Sequence, residues 1–189
     1  MFDQKELILQ CLAGNRKAEK QLFDSYSPLF FGICMRYAES EAEAEDMLIS
    51  GFTKIFSRLE SYRGAGSFEA WMKNVMVNNA VDWLRTHPRT TRLEAFPDDD
   101  SLNLSDVSEF SDASWQLEKE DIVKAIRSLP MPHRSIFNLY AIEGFAHKEI
   151  AQMLEMSEST VRVYFSKAKK YLQEMFKDYR EDGKLGRTC

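Results

Sequence analysis

At 189 residues with 44% hydrophobic side chains, the chain can bury a core as one domain or two small ones, which excludes global disorder. No apolar run reaches the ~18 residues that a membrane span needs, and the opening MFDQKELILQ lacks the basic-then-apolar pattern of a signal peptide. The net charge of −5 is uneven: residues 1–60 carry −3, 61–96 carry +2, 97–121 carry −8 and 122–189 carry +4.

That distribution suits two nucleic-acid-facing modules joined by an acidic connector. The three cysteines, Cys11, Cys34 and Cys189, are odd in number and scattered. They form neither a disulfide framework nor a metal site, and they fit a reducing, cytoplasmic setting.

Helical periodicity is nearly continuous over 3–86 and again over about 115–178, with no strand pattern, so the expected fold class is all-α. The first helix, DQKELILQCLA, stops at Gly14-Asn15. A second spans roughly 16–38, with Pro28 inside it to kink or split it. In a third, from about Ala42 to Leu59, the residues Leu48, Phe52, Ile55 and Leu59 make a core stripe at spacings of 4, 3 and 4. Its opposite face carries Asp46, Ser50, Thr53, Lys54 and Ser57, with Met47 at the edge. The glycines of YRGAGS make a loop, and a fourth helix runs from Phe68 to about Arg85, ending before Pro88.

On that fourth helix Asn74, Asn78, Asp82 and Arg85 share one polar strip. Side-chain amides present donor and acceptor together, which suits reading the edge of an unpaired base. Asn79 reads either as helix surface or as a further base contact. Trp71 and Trp83 read as core, with base stacking as the rival. Prolines, serines and aspartates dominate residues 87–114, too polar to order themselves.

The second block is expected to contain helices near 115–128 and 133–142 and then GFAHKEIAQMLEMSESTVRVYFSKAKKYL, a short helix, a turn and a longer helix. Val161, Phe165, Ala168 and Leu172 form the buried stripe of the last helix, and Arg162, Ser166, Lys167, Lys169 and Lys170 fall off it. Ile150, Ala151 and Leu154 face inward from the first, and Ser157 is placed to cap the second. Such a pair can lay its second helix in a DNA major groove.

Two strings carry a family resemblance. SLPMPHRSIFNLYAIEGFAHKEIAQMLEMSESTVRVYFSKAKKYL resembles the C-terminal DNA-binding domain of bacterial sigma-70 family sigma factors of the extracytoplasmic-function (ECF) group, and AEDMLISGFTKIFSRLESYRGAGSFEAWMKNVMVNNAVDWLR resembles that group's promoter-melting domain. The resemblance implies two small helical domains: 1–92, sigma2-like, for polymerase docking, −10 recognition and melting; and 116–180, sigma4-like, for −35 recognition. Residues 93–115 would be a flexible acidic linker, a placeholder for nucleic acid or a solubilising spacer, and 181–189 a polar tail.

The resemblance also assigns residues. Asp46, Met47, Ser50, Thr53 and Lys54 would face the clamp helices of the largest polymerase subunit, and the C-terminal domain would meet the flap of the second-largest. Arg63, Ser67, Asn74, Asn78, Asp82 and Arg85 would read the −10 element. Ser159, Thr160, Arg162, Val163, Ser166, Lys167 and Lys170 would read the −35 element. Promoter DNA, core RNA polymerase and an anti-sigma factor are the implied partners. No catalytic motif, cofactor loop or metal spacing is present, and His87, His133 and His147 show no ligand pattern. The competing reading is a stand-alone LuxR-like helix-turn-helix regulator. Three positions depart from the family pattern: Glu155 replaces a frequent turn glycine, Ile49-Ser50 replaces Gln-Glu, and Val163-Tyr164 replaces Ser-Arg.

Overall fold

A computed structural model describes residues 4–64, 66–86 and 119–185, with side chains of the last stretch described for 122–176. Helices and turns make up the described residues, with no strand among them. The chain divides into two compact units, Met1–Thr90 and Thr91–Cys189. The expected linker, 93–115, and Cys189 lie outside the described residues.

Unit 1 is a four-helix unit: α1 (Gln4–Leu12), α2 (Arg16–Tyr37), α3 (Glu41–Ser57) and α4 (Phe68–Thr86), with a short 3-10 turn at Leu59–Ser61. Local chemistry places the breaks. Gly14 takes a left-handed φ of 75°, open to glycine without steric penalty. Asn15 then caps α2, its side chain accepting from the Lys17 and Ala18 amides at 3.0 and 3.4 Å. Ser40 caps α3 by accepting from the Glu43 amide. Pro28 neither splits nor ends α2, which remains helical from Arg16 to Tyr37.

The helices meet over a core of Leu22, Phe30 and Tyr37 from α2, Met47 and Ile55 from α3, and Phe68, Met72 and Met76 from α4. Each such side chain contributes roughly 1.5–3 kcal/mol by leaving water. Phe52 packs tilted between Phe23 and Phe30, with ring centroids 4.6 and 5.8 Å away. Gly51 lets α3 approach α4 closely, because an added Cβ would collide with the Met76 sulfur. Cys34 lies fully buried 3.6 Å from that same sulfur, and burial pushes its thiol up to about 12.

Unit 2 contains α5 (Lys119–Ser128), α6 (Met131–Phe137), a π turn at Asn138–Ile142, α7 (His147–Leu154) and α8 (Glu158–Leu185). The Glu143 amide donates to the Asn138 carbonyl at 2.9 Å, the five-residue step that defines the π turn. Helix α8 continues to Leu185, past the expected end near 178 and into the stretch expected as polar tail. Ala125, Leu129, Phe137, Ala168, Leu172 and Phe176 form one core cluster, with Ile136, Leu139, Ile150 and Val161 also buried.

The turn between α7 and α8 passes through Glu155 at φ 56°, ψ 40°. A side chain in this left-handed well costs about 1 kcal/mol relative to glycine. The chain therefore makes the usual helix-turn-helix corner without the usual residue.

Candidate functional site

In unit 1, Asn74, Asn78, Asp82 and Arg85 all stand exposed along α4, as their spacing predicts. Asp82 accepts from Lys54 Nζ on α3 at 2.7 Å, and its other oxygen lies 3.9 Å from Arg85. An exposed pair of this kind contributes only about 0.5 kcal/mol. Its consequence is positional: a residue expected to dock polymerase neutralises one expected to face DNA.

Asn79 belongs to neither of its expected readings. It is 2% exposed; its Nδ2 donates to the Met47 carbonyl at 2.9 Å and its Oδ1 accepts from the Ser50 hydroxyl at 3.0 Å. It is a clasp between α4 and α3, and a buried amide so paired is costly to remove. Met47 is corrected with it. Its side chain is wholly buried, not at the edge of an exposed face. Helix α3 is covered from two sides, by α2 and by α4, so its buried arc is wider than the Leu48–Phe52–Ile55 stripe. Ser50 is half-buried and turns its hydroxyl inward to Asn79, while Asp46 and Thr53 remain exposed. Ile49, an apolar side chain 60% exposed beside them, is a feature that the polar-face reading passes over.

The loop before α4 is shaped by aromatic packing. Gly64 and Gly66 take φ of 73° and 89°, and the Tyr62 hydroxyl donates to the Gly66 carbonyl at 2.9 Å. Tyr62 packs on Phe68 and Trp71, with centroids 5.0 and 5.6 Å away. Arg63 and Ser67 are thereby presented outward. Trp71 and Trp83 are both half-buried; the indole of Trp83 donates to Glu43 at 2.7 Å.

In unit 2, Ser157 caps α8 by accepting from the Thr160 amide at 3.0 Å. Ser159, Arg162, Val163 and Lys170 are exposed, and Thr160, Ser166 and Lys167 are half-buried. Lys169, expected on the basic face, is buried instead. Helix α8 packs against α5, α6 and α7, and the covered arc extends one residue past the Val161–Phe165–Ala168–Leu172 stripe. Arg162 donates through Nη2 and Nε to one oxygen of Glu158, at 2.6 and 3.2 Å. That hydrogen bond holds the Glu158 carboxyl below its ordinary range. Glu158 was absent from the expected readers, although its four-residue offset from Arg162 is the helical ion-pair spacing.

Two histidines support this helix from behind. His147 stacks on Tyr140 at 4.2 Å and meets the edge of Phe165 at 5.6 Å; burial, then the Arg162 charge, holds its pKa below the ordinary value. His133 lies 4.8 Å from Tyr164, and burial, helped by Lys167, brings it down to about 4. Both are neutral packing groups near pH 7. Among the described residues no cluster of His, Cys, Asp or Glu could hold a metal ion.

Family models match both units: sigma-70 region 2 over residues 22–90 and sigma-70 region 4 over residues 119–172. The chain is 26% identical over 174 residues to the ECF RNA polymerase sigma-E factor of Haemophilus influenzae, covering 88% of this chain and 92% of that one. The ECF RNA polymerase sigma factor SigM of Mycobacterium tuberculosis is 27% identical over 177 residues, covering 90% and 83%. The chain belongs to the ECF group of the sigma-70 family. Among solved structures, the sigma factor RpoE of Bartonella quintana, crystallised with the anti-sigma factor NepR, matches with a TM-score of 0.49 and 21% identity, covering 84% of this chain and 96% of that one.

In this sigma factor the region 2 match spans α2 to α4, and so contains both the α3 face and the α4 strip. The region 4 match takes in the helix-turn-helix. A stand-alone LuxR-like regulator is not supported, because that reading leaves the region 2 unit without a purpose.

Proposed function

We propose that this sigma factor binds core RNA polymerase and directs it to promoters by dividing the work between its units. Unit 1 docks through the exposed part of α3, where Asp46 and Thr53 stand beside Ile49 and the half-buried Lys54, with Ser50 behind them holding Asn79. It reads the unpaired −10 strand with Asn74, Asn78, Arg63, Ser67 and Arg85, and Asp82 is neutralised by Lys54 before DNA arrives. Unit 2 places the start of α8 in the major groove of the −35 element. The family regions 2 and 4, in that order on one chain, are the observation that carries this reading.

The partners are the polymerase clamp helices for unit 1, the flap of the second-largest subunit for unit 2, promoter DNA, and an anti-sigma factor that masks the same faces. The domains run over 1–92 and 116–180 with the acidic stretch 93–115 between them. The protein makes no covalent change in its partners and works in the cytoplasm, where polymerase and chromosome meet. No helix of the described residues is long and apolar enough to cross a membrane.

With a net charge of −5 the free protein has little phosphate-neutralising capacity, so it binds duplex DNA weakly alone. Run-off transcription with purified core polymerase tests the reading. Defined start sites should appear only when both components are present, and gel shifts should require polymerase. Tight, polymerase-independent binding to one specific duplex would overturn it.

A further inference from the structure

Helix α8 carries an apolar side chain on its solvent-facing side. Val163 is 37% exposed, on the same side of the helix as Ser159, Ser166 and Lys170, which lie four residues before it and three and seven after it. A β-branched residue there weakens an exposed helix slightly. One residue earlier, Arg162 is not a swinging cation. Glu158 holds its Nε and Nη2 through a single oxygen. The Nη1 amino group and the second Nη2 hydrogen are left pointing away, and that end-on pair is the fork that spans guanine O6 and N7. A γ-methyl on the neighbouring residue matches the one apolar mark in the major groove, the C5-methyl of thymine.

We propose that Glu158, Arg162 and Val163 form one base-reading unit: Arg162 reads a guanine, Val163 reads the methyl of a nearby thymine, and Glu158 is the positioning residue that aims Arg162. This deepens the region 4 reading above and rests on it. Glu158 carries a negative charge toward the phosphates, so it lowers affinity for every sequence alike; its return is discrimination.

The test uses holoenzyme reconstituted from the full chain and core polymerase. Duplexes randomised over the upstream element are selected, and the winners should carry a guanine and a thymine at set positions. Replacing that thymine by deoxyuracil removes only the methyl. Wild-type binding should fall about fourfold, the ratio to which about 0.8 kcal/mol for one buried methyl(ene) converts. Val163→Ser should bind both duplexes equally, and Val163→Thr, which keeps a γ-methyl, should restore the preference. Glu158→Gln should raise affinity for unrelated duplexes while reducing the guanine preference; a merely structural role would lower both together or neither. Loss of specific transcription with every duplex would strike at the promoter reading itself. Normal transcription with no methyl effect, or with a methyl effect that Val163→Ser leaves intact, would overturn this inference alone.

Discussion

The two units hold their polar strips in different ways. In unit 1 the α4 strip is tied to a second helix: Asp82 bridges to Lys54, and Asn79, one residue from Asn78, clasps Met47 and Ser50 on α3. In unit 2 the reading end of α8 is organised within one turn of itself, by Ser157 and by the Glu158–Arg162 pair. The first arrangement couples the helix proposed to dock polymerase to the helix proposed to face DNA. The second leaves the start of α8, proposed to read bases, held mainly by its own first turn. The departures from the family pattern fall on both sides of that contrast: Val163 is exposed on α8, whereas Ser50 is bound into the clasp.

The largest break in the comparison should come from Asn79→Leu. It strands a buried carbonyl and a hydroxyl and pushes α3 from α4, so urea unfolding should show a loss of about 3 kcal/mol. Polymerase affinity and promoter opening should fall together. If they separate, the two helices are not coupled through this residue.

Asn78→Ala, its exposed neighbour, should leave the midpoint of unfolding unchanged. On a pre-melted bubble template it should still lose about 2 kcal/mol of −10 binding, as for a lost base contact. A normal bubble with a defective duplex would move Asn78 from base reading to melting.

Unit 2 should respond to acid through His133. Its folded pKa is about 4 against 6.5 for the free group. Between these values the unfolded chain binds more protons, so stability rises with pH. The contribution is complete above 6.5 and is lost as pH falls toward 4. It should reach about 2 kcal/mol, seen as the difference in pH dependence between wild type and His133→Gln in urea unfolding at pH about 7 and about 4.5. Parallel curves for the two proteins would remove His133 from the account.

Lys54→Gln should cost the fold only about 0.5 kcal/mol, because the bridge is exposed. Pull-down of core polymerase should weaken nonetheless. Removing Lys54 also uncovers the Asp82 charge, so single-stranded −10 DNA should bind less well and with a shallower salt dependence, since less counterion is released and salt screens the new repulsion. An unchanged salt response would show that Asp82 does not face the strand.

Most of the helical frame is legible in the residues themselves. Gly14-Asn15, Ser157 and the 4-3-4 stripes of α3 and α8 place the breaks and the inward faces within a residue or two. The exposed strip of Asn74, Asn78, Asp82 and Arg85 follows from the same arithmetic. The width of each buried arc does not. A stripe says which side of a helix is covered, not how many neighbours cover it, and that is why Met47 and Lys169 read as accessible and are buried. Pro28 misleads for a related reason: a proline removes one backbone bond, and α2 keeps its helix because Leu22, Phe30 and Tyr37 anchor it on both sides.

What the sequence alone determined is therefore local. Helix positions, caps and the amphipathic faces depend on side chains within about four residues of each other, where backbone geometry fixes the distance in advance. The left-handed corner at Glu155 sits at that boundary: its place is readable, but only the packing of α7 on α8 compels a non-glycine residue to adopt it. The tertiary structure decided the rest. Asn79 meets Met47 across 32 positions and Lys54 meets Asp82 across 28. No periodicity encodes such a pairing, because it depends on the crossing of two helices whose approach is set by the glycine at 51 and the methionine at 76.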